Sequence, residues 1–375
     1  MDSKRLIMVG LPMIAVTYGF ARFSYGLVLP YIRESLDINQ SIAGAISSLS
    51  YLAYCIAIIL AMLYMQKVGS RMLILIAGVT AAAGMGIISM ANGAIALGIG
   101  IFIAGLSTGL SSPPYADVIK KWVALDKRSP TNTWVNAGTS LGTALTGVMV
   151  IFMGSNWRLT FLLFTIIAII ILILNYKVIP QTKVTNKIHQ TRAFHVTKKE
   201  LMNAYPLIIS SLLLGISSAA YWTFSRDLVF QMENIPEVLT QGFWIIIGLA
   251  GVLGGFAGYF SSHIGLLPSY RLCVIFLGAS SVLLGLFTNV LPVVISAISF
   301  GSSYIFMTGV LIIWGINIFK TNASFGLGFP FLLLALGQVF GSLVGGVVAE
   351  FLGYEAMFIL FAMMSFMALL FKPKK

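Results

Sequence analysis

Apolar runs of about twenty residues, each closed by a charged or turn-forming break, recur along the whole chain. As a helix, a run of that length crosses the ~30 Å hydrocarbon core of a bilayer. The breaks predict helices near 6–32, 40–65, 72–91, 94–119, 131–153 and 157–176, then 204–230, 240–262, 271–289, 291–318, 323–349 and 354–371. Only Thr288-Asn289 and Pro292 separate the ninth from the tenth. The first run follows Lys4-Arg5 as the core of a secretory leader would, but it is too long and lacks a small-residue cleavage site, so it reads as the first helix.

Composition agrees with this pattern. Of 375 residues, 58% are hydrophobic and 9% charged, against ~45–50% and ~25% in soluble domains; the mean hydropathy is +0.97. No large soluble domain fits between the runs. The 37 glycines suit closely packed helices and do not suit the alternating ten-residue strands of a barrel. Cys55 and Cys273 both fall inside apolar runs, so neither a disulfide nor a metal site is expected. The net charge of +12 is spread between hydrophobic segments and not gathered on one face, which argues against nucleic acid as a partner.

The same charges set the expected topology. With the N-terminus inside, the inner segments hold Lys4, Arg5, Lys67, Arg71, Lys120, Lys121, Lys127, Arg128, six basic residues of the stretch 177–203, Arg271, Lys320, Lys372, Lys374 and Lys375. Outer segments keep only Arg33, Arg158 and Arg226, together with Asp37, Asp227, Glu233, Glu237 and Glu355. Both termini then face the cytoplasm of a bacterial-type inner membrane, and the bilayer itself is a partner. The stretch 177–203 reads as a basic cytoplasmic tether to anionic headgroups. It parts an N-terminal bundle at 1–176 from a C-terminal bundle at 204–375. An internal repeat supports that division: Gly19, Tyr25, Gly69, Gly105 and Ser107 recur 196 residues later as Gly215, Tyr221, Gly265, Gly301 and Ser303. Trp157 and Phe161 recur at 197 as Tyr354 and Phe358. Two pseudo-symmetric six-helix bundles are the expected fold.

At this point the chain resembles the major facilitator superfamily over essentially its full length. The loop Gln66-Lys67-Val68-Gly69-Ser70-Arg71 is similar to that superfamily's Gly-x-x-x-Asp-Arg-x-Gly-Arg-Lys loop, and its counterpart carries Gly258, Ser262, His263 and Gly265. Gln66 and Ser262 stand where the acid is expected, and Met62 stands in place of the first glycine. The resemblance assigns Lys67, Gly69, Arg71 and Gly265 to a gating loop. Gly19-Phe20-Ala21-Arg22-Phe23-Ser24-Tyr25, followed by Leu29-Pro30 and Ser50-Tyr51-Leu52-Ala53, resembles the bacterial YbfB/YjiJ-like branch, which implies a permease and names no substrate.

The candidate chemistry centres on Arg22, the only basic residue well inside a predicted helix. A charge at the centre of a membrane helix costs about 2.5–3.5 kcal/mol on insertion scales and needs a partner. Helical spacing puts Tyr18 and Tyr25 on its face. Arg22 reads either as an anion-binding group facing a central cavity or as glue between the halves. Tyr115 on helix 4, Asn136 on helix 5, Tyr221 and Trp222 on helix 7 and Tyr304 on helix 10 complete the candidate substrate site; the polar stripes around them on helix 4 (Thr108, Ser111, Ser112) and helix 5 (Asn132, Thr139, Ser140, Thr143) read either as cavity lining or as glue between helices, and Trp314 on helix 10 as a further cavity-facing aromatic. Helices 1, 4, 5, 7, 10 and 11 are expected to line a cavity and 3, 6, 9 and 12 to form the rim. Pro113-Pro114 should kink helix 4. Arg226 reads as an outer-face ion pair with Asp227 or a snorkelling side chain, and Asp117 as a surface partner of Lys120 and Lys121.

A phosphate loop, metal-ligand spacing among His189, His195 and His263, and any triad signature are all missing from the sequence, so no cofactor, metal or enzymatic activity is expected. The function expected is secondary transport by a monomer, carrying a small solute of anionic or zwitterionic character, with a coupling proton or cation as an open partner. An efflux permease for lipophilic compounds, an embedded enzyme and a scaffold are the alternatives.

Overall fold

The computed structural model describes residues 2–181, 197–320 and 322–373. The described residues are helical almost throughout, with no strand among them. We label the membrane-length helices α1 (Ser3–Leu36), α2 (Gln40–Val68), α3 (Ser70–Ser89), α4 (Ala94–Trp122), α5 (Leu125–Met153), α6 (Trp157–Val178), α7 (Tyr205–Phe230), α8 (Glu237–His263), α9 (Leu266–Leu286) and α10 (Val290–Ile318). An eleventh helical run, Ala323–Ala368, has 46 residues and one non-helical position, Gly353 (φ 84°). At 1.5 Å per residue it is more than twice as long as the hydrocarbon core is thick. It therefore folds back at Gly353 as two crossings, α11 (323–352) and α12 (354–368). Most of the tether expected at 177–203 lies outside the described residues. Its end is the short helix Lys198–Asn203, closed by a capping box between Thr197 and Glu200.

The expected helices are present with ends shifted by a few residues. The largest change is α5, which begins at Leu125 and takes Asp126, Lys127 and Arg128 into its first turn. The ninth and tenth crossings do separate, at Phe287–Asn289. α4 is interrupted at Leu110–Ser111. Pro113 and Pro114 have no N–H to give to the carbonyls four residues earlier, and the helix loses those bonds there.

Helix order and packing repeat between the two sets of six. α3 packs on α4 and α6 as α9 packs on α10 and α12. The first six meet the last six mainly through α1 against α7, α2 against α11 and α5 against α8, so the interface is itself two-fold. The internal repeat shows in the backbone too. Gly69 (φ 87°) turns the chain between α2 and α3, and Gly265 (φ 90°) does so between α8 and α9. Both need the left-handed region that a side chain disfavours. α6 carries the least buried apolar window of any span, and Ile170 on it is half exposed, as a rim helix requires.

Candidate functional site

One stretch of α1 departs from α-geometry. Ala15–Phe23 is a π-helix and ends immediately after Arg22. Such wide turns occur mostly at functional positions. The wider turn changes which neighbours Arg22 meets, and the structure corrects the expected pairing with Tyr18 and Tyr25 in part. Tyr18 remains beside Arg22, near Ser112 and Tyr54. Tyr25 turns to α2 and donates to the Ala43 carbonyl at 3.0 Å. The rings over the guanidinium belong instead to Tyr54 and Tyr51 of α2, at 4.5 and 4.9 Å from Cζ. α2 was not among the helices expected at the site.

Arg22 also reaches across the interface. Its Nη2 donates to Gln338 Oε1 on α11 at 2.9 Å. Gln338 Nε2 in turn donates to the Tyr304 hydroxyl at 3.1 Å and lies 3.4 Å from Ser218 Oγ. Trp222 stacks on Phe23 with centroids 4.0 Å apart and meets Tyr304 edge-on at 5.2 Å. Arg22, Trp222, Tyr304 and Gln338 are 7%, 4%, 5% and 1% exposed; Arg22, Tyr304 and Gln338 lie near the middle of their helices and Trp222 about two thirds of the way along α7, toward the far end. One buried donor in this group, Arg22 Nε, has no hydrogen-bond partner among the described residues, whereas the Trp222 indole N–H is directed to the Tyr304 hydroxyl.

Magnitudes show what this arrangement does for Arg22. Three cation–π contacts, to Tyr54, Tyr51 and, at 5.3 Å, Phe23, contribute about 1.5–6 kcal/mol together. A hydrogen bond to a charged group adds about 1.5–3 kcal/mol. These terms offset the ~2.5–3.5 kcal/mol insertion cost, so the charge is held stably while part of its donor capacity stays free.

Of the other expected site residues, several serve packing elsewhere. Tyr115 donates to Asn175, whose Nδ2 donates to the Val9 carbonyl at 3.1 Å, tying α4, α6 and α1 together. Tyr221 pairs with Ser296 at 2.8 Å and stacks on Phe300. Asn136 bonds to the Asn132 carbonyl at 2.8 Å and accepts from Ser112 at 3.4 Å, on the terminus side of Tyr18. Trp314 packs edge-on against Tyr270. Thr139, Ser140 and Thr143 border a cleft of about 10 Å³ beside Trp222, room for little more than a water molecule.

Loop residues behave unevenly. Arg71 donates to the Tyr176 carbonyl at 2.6 Å, joining α3 to α6 and not one half to the other. Lys67 lies over the Tyr64 ring. Asp117 takes Lys121 at 2.7 Å, as expected, and also accepts from Ser70 beside Gly69.

The end of the molecule away from the termini is closed by polar contacts between the halves. Arg33 Nη1 donates to Asp227 and, at 2.8 Å, to the Tyr354 hydroxyl, which itself donates to Asp227. Glu350 accepts from Asn39 at 3.1 Å and from the Ser41 N–H at 3.2 Å. Arg226 corrects a second expectation. It neither snorkels nor hydrogen-bonds with Asp227: it is fully buried and donates to the Leu27 carbonyl at 2.6 Å and the Tyr31 hydroxyl at 3.1 Å.

Sequence reasoning passed over Gln338, although a single amide in the run Phe331–Phe340 was the available signal. It quoted Tyr51 only as part of a motif and overlooked Tyr54.

Comparison with known proteins settles what kind of molecule holds this site. Residues 13–323 match the model of the Major Facilitator Superfamily. The chain belongs to that superfamily. It is therefore a multi-pass membrane protein and a secondary transporter, and its neighbours in sequence and structure are transporters, not enzymes. A hexuronate transporter of Bacillus subtilis (strain 168) is 25% identical over 162 residues, which is 43% of this chain and only 38% of that relative's length. The crystal structure of the nucleoside transporter NupG superposes with a TM-score of 0.81 at 14% identity, covering 99% of this chain and 98% of that one. A POT family transporter in complex with 5-aminolevulinic acid gives 0.79 at 14% identity over 97% and 94%. At such identities the likeness of this transporter to those structures concerns the fold.

Proposed function

We propose that this transporter moves a small solute of anionic or zwitterionic character by alternating access, in a cytoplasmic membrane with both termini and the 177–203 tether inside. Residues 1–176 and 204–375 are the two moving bodies, working as a monomer, and the solute meets them at mid-span on Arg22, Tyr18, Trp222 and Tyr304, with Gln338, Tyr51 and Tyr54 added. Tyr25, Tyr115 and Tyr221 hold helices together, and Asn136 stands on the approach from the terminus side. The observation that carries the reading is Arg22 itself: a mid-membrane cation contacted from both halves, with its buried Nε unpartnered. A lone charge in that position is by default functional, and binding shared by both halves is what couples a solute to their motion. The partial match to a hexuronate transporter, named for a sugar acid, favours the same sign of charge. Export of lipophilic cations is disfavoured: among the described residues the one buried carboxylate is Asp227, and Arg33 and Tyr354 occupy it.

Arg22→Lys keeps the charge and loses the planar fork, whereas Arg22→Gln removes the charge. Both variants should fold and bind substrate more weakly, Gln at least ten-fold worse than wild type and worse than Lys. The measurements are melting temperature and equilibrium binding on the same preparations. Wild-type affinity in Arg22→Gln overturns the proposal. A drop in melting temperature with affinity intact assigns Arg22 to structure alone.

A further inference from the structure

Resting on that reading of the same site, we propose that Gln338 is a built-in stand-in for the solute: its amide oxygen occupies the edge of Arg22 that the solute's oxyanion takes, and binding displaces it.

The chemistry of the contact comes first. Guanidinium nitrogens only donate, so the atom that Gln338 turns to Arg22 must be its oxygen, and its NH2 group must face elsewhere. Oε1 accepts from Nη2 at 2.9 Å, while Nε2 points to Tyr304 and Ser218. Nε and Nη2 share one edge of the guanidinium, which a carboxylate grips with two parallel bonds. Gln338 fills one of these two places, and Nε has no partner among the described residues. A single amide oxygen thus holds the edge without neutralising it. An oxyanion satisfies both N–H groups and the charge together, so it is the stronger occupant of the same edge.

The exchange bears on motion because each partner is fixed to its own half. Gly19 seats α1 against Gly142 of α5, and Gly337 and Gly341 seat α11 against the Leu212 and Ile216 carbonyls of α7; at all three a Cβ would overlap backbone. The bond from Arg22 to Gln338 is therefore a bond between the halves. An oxyanion that takes its place holds Arg22 without holding α11. The halves lose a tie as the solute arrives. Cys55, next to Tyr54 and 3% exposed, faces the Leu332 carbonyl of α11 and reports any parting there.

The test uses the full-length protein in detergent, with Cys273→Ser leaving Cys55 as the only thiol. Gln338→Asn withdraws the amide by one methylene and stays polar. Gln338→Glu sets a permanent carboxylate on the edge, and Tyr304, which accepts from the amide, can turn its hydroxyl proton to the new oxygen. We expect N-ethylmaleimide to label Cys55 at least three-fold faster than wild type in Gln338→Asn, and more slowly than wild type in Gln338→Glu. The probe anions are acetate and glucuronate. Removing an internal competitor raises the affinity of an external ligand, so at least one of them should bind Gln338→Asn five-fold or more tighter than wild type. Neither should bind Gln338→Glu within ten-fold of its tightest affinity for Gln338→Asn. Binding to Gln338→Asn that is no tighter than to wild type, undetected binding included, overturns the inference, and weaker binding makes Gln338 an ordinary solute ligand. Unchanged Cys55 labelling in both variants shows that the contact does not tie the halves and overturns it as well. If Gln338→Asn does not fold, Gln338→Glu decides alone: wild-type anion affinity, or Cys55 labelling as fast as in wild type, overturns the inference. Anion binding that is lost in Arg22→Gln but not improved in Gln338→Asn strikes only the stand-in and leaves the anion site standing. Wild-type affinity in Arg22→Gln removes both.

Discussion

The two ends of the interface between the halves are built differently. At the far end, helices touch backbone to backbone: a Cβ on Gly26 would overlap the Trp222 carbonyl oxygen, and one on Gly44 would overlap that of Ser342. Polar bonds then reinforce the contact, from Arg33 to Asp227 and Tyr354, from Arg226 to Leu27, and from Ser47 to Thr223 at 2.8 Å. Toward the termini the contact is apolar and soft. Met62 lies over Gly328, and Ile59, Leu63, Phe325, Phe329 and Leu332 surround an apolar cleft of about 180 Å³. Past Ser140 and Gly251, α8 has open space at Gly255 and Gly258. Backbone cannot yield as a methionine can, so the difference says which end is bolted and which is free to part.

The strongest way to break the comparison is Gly26→Ala. Its methyl group has no room against the Trp222 backbone, so α1 and α7 must separate. Transport should fall more than ten-fold, and a cysteine at Ser47, buried at 4% exposure in the wild type, should become reactive to a reagent added on the far side. Unchanged labelling would show that the far end is as pliant as the other. Asp227→Asn is expected to act next most strongly. It leaves Arg33 and Tyr354 facing a neutral amide, and because the Arg33 side chain is 19% exposed the loss should lie near the lower end of the ~3–5 kcal/mol typical of a broken buried pair. A lowered melting temperature, little changed by salt, is the expected readout. An unaltered melting temperature would reduce the triad to an incidental contact. The smallest effect belongs to Gly328→Ala, where only the Met62 methyl stands in the way and can swing aside. Transport should stay within two-fold of wild type. A loss as deep as that of Gly26→Ala would erase the distinction between the ends.

Much of the architecture could be read from apolar run length, because a bilayer fixes how long a crossing must be. The 196-residue repeat foresaw matching turns at Gly69 and Gly265, since a left-handed turn leaves its mark as a glycine. The site was only half legible. Arg22, Tyr18, Trp222 and Tyr304 come together as their types suggested. Tyr51, Tyr54 and Gln338 were not picked out, because a membrane tyrosine or amide looks the same in sequence whether it packs or binds. The π-turn at Ala15–Phe23 has no simple periodic signature, and the helical spacing argument for Tyr25 ran across its end. Arg226 was misjudged by counting residues from the helix start. Depth along a helix does not reveal that a carbonyl on a neighbouring helix, here Leu27, stands ready to accept.

The single non-helical residue at Gly353 has a mechanical consequence. Elsewhere at the far end a short connection, such as Asp37–Asn39 between α1 and α2, gives the chain some play. Between α11 and α12 there is one hinge residue, which spans at most ~3.6 Å. Any swing of α11, which carries Gln338 and Glu350, must drag the start of α12 and Tyr354 along with it. The elbow leaves little slack in length: the far-end contacts of Glu350 on α11 and of Tyr354 on α12 are tied to each other through one residue.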